Sequence, residues 1–138
     1  MYTARVLLLL VLLGCGSGLP APEATQHPLA AYAEVPYPPP AALVETVPPR
    51  PAREGVVWVD GEWTSRGNEY VWRRGGWVQP PPRSRFAPWR SWYRRDGRLM
   101  MAPGTWYDSK GERLRRPQPV VPAFSPPNAV TSESQTGR

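Results

Sequence analysis

Two runs of β-branched and aromatic residues, Val56-Val57-Trp58-Val59 and Tyr70-Val71-Trp72, stand out along the chain, separated by the polar stretch Thr64 to Glu69. Such residues fit a pleated, half-buried surface, so both runs read as strands. With Arg66-Gly67 as a two-residue hairpin loop, partners are those whose numbers add to 133. That register sets Trp72 opposite Gly61, Trp58 opposite Gly75, Trp63 opposite Tyr70 and Asp60 opposite Arg73. Each glycine leaves a gap that a facing tryptophan can cover. The same rule with Asp96-Gly97 as a loop pairs Trp92 with Met101 and Trp89 with Gly104. With Lys110-Gly111 it pairs Tyr107 with Leu114 and Asp108 with Arg113. The expectation is a small all-β domain, an antiparallel hairpin and meander of five short strands at 55–65, 68–79, 89–95, 98–109 and 112–116. Residues 79–88 are expected to be the loop between hairpin and meander.

Within this pattern a tryptophan is twice followed by glycine three residues on and tryptophan five on: Trp58-Gly61-Trp63 and Trp72-Gly75-Trp77. Met101 to Trp106, with Pro103 and Gly104, reads as a third copy with methionine in the first place. Side chains alternate along a strand, so a spacing of five puts Trp58 and Trp63 on opposite faces. Either the ribbon carries aromatics on both faces, or a bulge at Gly61 brings them to one.

Composition sets the limits of the domain. Of 20 prolines, ten lie between Pro20 and Pro51 and five between Pro117 and Pro127. Proline fixes φ and removes a backbone donor, so those stretches cannot continue a helix or a central strand. Residues 15–54 are therefore expected to be a Pro-rich, polyproline-like tether, with a reach on the order of 100 Å. Residues 55–116 are expected to be the β domain and 117–138 a disordered tail. The β region carries thirteen Arg and Lys against six Asp and Glu, and sixteen of the chain's seventeen basic residues are arginine. Arginine suits bidentate contact with carboxylate or phosphate and stacking on aromatics.

The N-terminus adds location. Arg5 precedes an apolar run from Val6 to Leu13, the charge order and length of a secretory signal peptide, too short to span a bilayer comfortably. The run ends in Leu12-Leu13-Gly14-Cys15, which resembles a bacterial lipobox. The resemblance implies residues 1–14 as a signal peptide with its helix, acylation of Cys15 and a membrane anchor there. Gly16 after the cysteine is similar to the outer-membrane sorting pattern.

WVDGEW and WRRGGW, with Tyr70-Val71-Trp72 leading the second copy, resemble the WxxGxW repeats of a family of small bacterial envelope proteins, many of them lipoproteins. The likeness is strong over about 20 residues and weak over about 50. The family usually has proline before the glycine, where this chain has Asp60 and Arg74. The resemblance bears on architecture and location more than on activity.

Candidate chemistry is sparse. His27, the only histidine, lies in the Pro-rich stretch away from acidic or sulfur partners, which leaves no Ser-His-Asp set. With Cys15 acylated no Cys/His cluster remains for a metal, and no cofactor motif is present. Asp60, Glu62 and Glu69 lie near one another, but Arg73 faces Asp60 in the expected register. The reading is a non-enzymatic, lipid-anchored envelope protein with a structural or interaction role. The alternative is a module that binds glycan or polyanion, peptidoglycan or lipopolysaccharide, by ring stacking and guanidinium contacts. An envelope protein is a further possible partner; nucleic acid is not expected for an exported chain. Trp58, Gly61, Trp72, Gly75, Trp89 and Gly104 are assigned to structure. The residues expected to face outward are Trp63, Trp77, Trp92 and Trp106, with Arg73 and Arg74.

Overall fold

The computed structural model describes residues 18–124; Cys15, the signal peptide and residues 125–138 lie outside them. The fold is all-β and antiparallel. Ten short strands form, in chain order: β1 (Ala33–Val35), β2 (Val57–Val59), β3 (Glu62–Arg66), β4 (Glu69–Arg73) and β5 (Gly76–Val78), then β6 (Arg85–Ala87), β7 (Arg90–Tyr93), β8 (Leu99–Ala102), β9 (Thr105–Tyr107) and β10 (Pro119–Pro122). A 3-10 turn, Leu29–Ala31, precedes β1.

Strands β2 to β5 form one long ribbon. A single register runs through it, each pair of numbers adding to 135, from Val57↔Val78 to Arg66↔Glu69. The ladder breaks once, at Asp60-Gly61 on one strand and Arg74-Gly75 on the other. Equal gaps on the two strands keep the register, whereas a bulge sets two residues against one. The bulge is therefore excluded. Trp58 faces Trp77 and Trp63 faces Trp72, each pair edge to face with ring centroids 5.5 and 5.1 Å apart.

This corrects the expected pairings of Trp72 with Gly61, Trp58 with Gly75, Trp63 with Tyr70 and Asp60 with Arg73. The cause is at the turn. Gly67 takes φ of 63° and is the first of two loop residues, Gly67-Asn68, between Arg66 and Glu69. Glycine in that first place is the signature of a II′ hairpin turn. Trp72 nonetheless lies over Gly61, on the diagonal, because a Cβ there would meet its ring; at Gly75 a Cβ would meet the Val59 carbonyl and the Gly61 nitrogen. The two glycines let the two strands close on one another at the break.

Strands β6 to β9 repeat the plan. Their pairs add to 192 from Arg85↔Tyr107 to Tyr93↔Leu99, with equal gaps at Pro88-Trp89 and Pro103-Gly104. Residues 79–88, expected as loop, thus contain β6. The registers expected around Gly97 and Gly111 are each off by one. Arg94 and Arg98 close a three-residue loop in which Gly97 takes φ of 82°, and Asp108 and Glu112 do the same around Gly111, φ 81°. Glycine at the last place of a three-residue loop adds one residue to the turn, so Trp92 faces Met100 rather than Met101, and Tyr107 bridges Arg113 rather than Leu114. Superposing the two registers sets Met101 to Trp106 where Trp72 to Trp77 lies in the first ribbon.

The ribbons pack through Val59 and Val78 of the first against Phe86 and Trp106 of the second, with Val57 and Leu114 alongside. A second cluster joins Val56, Trp58 and Trp77 to Ala123, and a third joins Val35 to Leu99 and Met101. The last two clusters draw on residues outside 55–116. The Pro-rich segment, expected to be a free tether, is a strap across the domain over residues 18–54. The Trp58 amide donates to the Pro20 carbonyl (2.7 Å), Glu23 and Thr25 exchange backbone bonds with Phe86, and β1 pairs with β8. At the other end β10 pairs with β5, so 117–124 is ordered on the sheet. Its prolines sit on an edge strand, where a missing donor is tolerated.

Glu45 fastens the strap to the break in the first ribbon. Its carboxylate accepts the Trp72 indole N–H at 2.8 Å and the Gly75 amide at 2.9 Å. A glutamine has one acceptor oxygen, so Glu45→Gln leaves one buried donor facing an amide N–H. The expected loss is about 1–3 kcal/mol of stability in urea unfolding, with faster trypsin cleavage after Arg53.

Candidate binding surface

The tryptophans are mostly consumed by the core. Trp58 and Trp72 are buried, and so are Trp77 (1% exposed) and Trp106 (2%). The last two were expected to face outward, and the structure corrects both. That expectation rested on their having no glycine opposite, and the shifted register pairs them instead with Trp58 and Phe86. Trp63 is half-buried and donates its indole N–H to the Ala41 carbonyl at 2.9 Å. Trp89 packs beside Leu99 and Met101, its indole nitrogen buried with no partner among the described residues. Gly104 lies against Phe86 and the Glu62 carboxylate.

Arg73 does not face solvent freely either. Glu62, 8% exposed, accepts Arg73 Nη1 at 3.1 Å and Arg116 Nη1 at 2.8 Å on one oxygen, and the Gly104 amide at 2.8 Å on the other. Burial, then the neighbouring Arg116, lowers the Arg73 guanidinium below its ordinary value, and Glu62 opposes this. Arg74 is half-buried with its Nε unpartnered among the described residues. Asp60, expected to meet Arg73, instead accepts the Trp58 indole N–H at 2.7 Å. Among the described residues no group of three or more His, Cys, Asp or Glu side chains is placed to hold a metal ion.

Of the residues expected to face outward, Trp92 is the most open, 40% exposed. It lies on β7, an edge strand exposed at all four residues. Alternation puts Arg90 and Trp92 on one face of β7. There the strap supplies the opposite wall: Tyr32 meets Trp92 edge to face, centroids 5.9 Å apart, and His27 meets Tyr32 at 5.7 Å. A cleft of about 390 Å³ results, lined by Thr25, Gln26, His27, Tyr32, Arg90 and Trp92 among others. Trp92 also lines a shallower hollow with Arg94, Arg95 and Asp96, where Arg94 and Asp96 pair at 3.4 Å. Sequence reasoning missed Tyr32, Gln26 and Arg90. The signal available was the run Arg90-Ser91-Trp92-Tyr93-Arg94-Arg95, where arginines bracket two aromatics.

His27 is committed to the fold. Its Nε2 lies 2.8 Å from the Pro88 carbonyl, which can only accept, so the proton belongs on Nε2. Nδ1 is then free to accept the Tyr107 hydroxyl at 3.1 Å. Burial raises the Tyr107 phenol above its ordinary value of 10.0, and Tyr70 is raised in the same way, burial again leading. A raised folded pKa contributes stability that is full below the unfolded value and lost as pH rises through the folded one. Stability is therefore expected to fall in alkali above about pH 10, and Tyr107→Phe to leave only the Tyr70 part of that fall, as read from urea midpoints across the alkaline range.

Set against protein-family models, curated proteins and solved structures, the chain matches none.

Proposed function

We propose that this chain is a non-enzymatic, lipid-anchored bacterial envelope protein, held at the outer membrane through Cys15, whose β domain serves an interaction role. The observation that carries the interaction role is β7. In a domain that buries Trp58, Trp72, Trp77 and Trp106, it keeps Trp92 and Tyr93 exposed on an unpaired edge, bracketed by Arg90, Arg94 and Arg95. The anchor rests on the lipobox-like residues that end at Cys15. The docked strap changes what such an anchor does. Pro20 is already bonded to Trp58, so the four residues Gly16 to Leu19 separate Cys15 from the domain, a reach of less than about 20 Å. The domain would sit against the bilayer surface rather than far above it.

Growth with radiolabelled palmitate is expected to label the wild-type chain and not Cys15→Ala, with the label in the outer-membrane fraction. Label retained by Cys15→Ala, or a wild-type chain found free of membranes, overturns the anchor. A second reading, binding of envelope glycan or another polyanion, is favoured by one specific observation: the cleft on β7 joins stacking surfaces to an arginine with no ion pair among the described residues.

A further inference from the structure

Two of the domain's clefts, similar in volume, differ in what their polar groups are already doing. The larger, about 400 Å³, is lined by Trp58, Phe86, Trp89, Asp60 and Glu62. Its carboxylates are spent, Asp60 on the Trp58 indole and Glu62 on Arg73, Arg116 and Gly104, which leaves the buried Trp89 indole N–H as its one unpartnered side-chain donor among the described residues. In the cleft of about 390 Å³ on β7, the side chains of Thr25, Gln26 and Arg90 make no hydrogen bond or ion pair among the described residues. His27, by contrast, has both ring nitrogens occupied and serves as a fixed wall. Three unspent polar groups of different kinds thus converge beside two aromatic rings.

That combination selects a ligand class. The face of an aromatic ring carries partial negative charge and attracts the weakly positive C–H face of a flat, saturated ring. Trp92, 40% exposed and propped by Tyr32 across 5.9 Å, offers such a face without needing to be ordered by the ligand. Gln26 supplies both donors and an acceptor, and Thr25 a hydroxyl, the complement that ring hydroxyls require. Arg90 supplies a forked cation suited to carboxylate or phosphate. Beyond Trp92 a hollow is lined by Arg94, Arg95 and Asp96; Arg94 is paired with Asp96 at 3.4 Å, and Arg95, with no ion pair among the described residues, is the guanidinium a neighbouring anionic unit of a polymer would find.

We propose that the cleft lined by Tyr32, Arg90 and Trp92 binds a pyranose ring carrying a carboxylate or phosphate, stacked on the open part of Trp92 with its anion on Arg90, as one unit of an acidic glycan. The proposal rests on the interaction role given above and narrows it to a ligand class.

The test uses the full chain purified in detergent, titrated by calorimetry with a short oligogalacturonate, its methyl ester, a glucose phosphate, inorganic phosphate and single-stranded DNA. The acid form is expected to bind about tenfold or more tightly than its ester, the margin of a hydrogen-bonded charge pair, and glucose phosphate more tightly than inorganic phosphate. Trp92→Ala is expected to abolish binding of acid and ester alike. Arg90→Gln is expected to leave ester binding in place and erase the preference for the acid. Unchanged emission from the buried tryptophans shows that both variants are folded. Equal affinity for acid and ester, inorganic phosphate binding as well as the sugar phosphate, DNA binding that outranks the sugars, or a Trp92→Ala chain that binds like wild type overturns the proposal. Palmitate labelling at Cys15 stands or falls separately, so a labelled chain that ignores acidic sugars defeats this inference and not the anchor.

Discussion

Glu62→Ala is expected to lower the unfolding free energy by about 3–5 kcal/mol, a large share of the 5–15 kcal/mol that holds a typical domain together. The size follows from what the carboxylate joins. Glu62 starts β3, Arg73 ends β4 opposite it, Gly104 lies in the break of the second ribbon and Arg116 follows that ribbon. One buried side chain therefore ties both ribbons and the segment leading to β10. Removing it leaves two guanidinium groups, side chains 35% and 26% exposed, facing one another without their counter-charge. Burial, and after it Arg116, already lowers the Arg73 guanidinium and Glu62 is the group that opposes this, so the loss falls on Arg73 first. The ion pairs are not a source of stability in themselves, because desolvating three charges costs about what their attraction returns. Glu62→Leu combined with Arg73→Met and Arg116→Met is accordingly expected to recover most of the loss. A remainder of about 1–3 kcal/mol persists from the orphaned Gly104 amide. Urea unfolding of the single and triple variants reads both numbers. A single variant within about 1 kcal/mol of wild type would show that the cluster is far wetter than its burial implies.

None of this was visible as a site in the sequence, and the reason is register. The strands were legible because Val, Tyr and Trp cluster at Val56 to Val59 and Tyr70 to Trp72, and the glycine-containing turns were found. A glycine after a polar residue, however, announces a turn without saying which place in the loop it takes or how many residues the loop holds. Gly67 opens a two-residue loop, while Gly97 and Gly111 close three-residue loops. Gly67 at the start of its loop rather than the end moves partners by two, and the extra residue at Gly97 and Gly111 moves them by one, a slip that exchanges the faces of a strand. Arg73 was thus matched to Asp60 instead of Glu62, and Trp77 and Trp106 were sent outward. Trp92 survived because its strand is exposed at every residue, whichever partner it has.

The strap was missed for a different reason. A proline-rich stretch has no periodicity to betray a buried face, yet its carbonyls keep their acceptor capacity while its missing amides ask for nothing. Indole N–H groups need such acceptors when buried. Ala41 and Pro48 provide them for Trp63 and Trp77, and Glu45 for Trp72. A chain with seven tryptophans in one small region carries seven donors to satisfy, and that demand was the available clue. Because the strap was set aside as a tether, Tyr32 and Gln26 went with it, and with them half of the β7 cleft.

Trp77→Ala brings these threads to one measurement and is expected to cost about 3–5 kcal/mol. Trp77 sits on β5, the middle strand of the β10-β5-β2 sheet, and is 1% exposed. Its ring meets Trp58 edge to face at 5.5 Å, packs with Val56 and Ala123, and donates its N–H to the Pro48 carbonyl at 2.9 Å. The substitution removes a ring-sized volume from between the strap, the first ribbon and the C-terminal strand, three parts that cannot all move in to fill it. Trp77→Phe keeps a ring but loses the indole N–H and part of the volume, and about 1–2 kcal/mol is expected. Trp92→Ala is expected to cost less than about 1 kcal/mol, since an exposed ring leaves no cavity. The same variants separate packing from docking. If Trp77 clasps the strap, Trp77→Ala accelerates trypsin cleavage after Arg53 under conditions where Trp92→Ala does not. Were the two alanine variants to melt together and resist trypsin equally, the strap would be held by its other fastenings, Glu45 and Ala41 among them, and the Trp58–Trp77 pair would be dispensable to it.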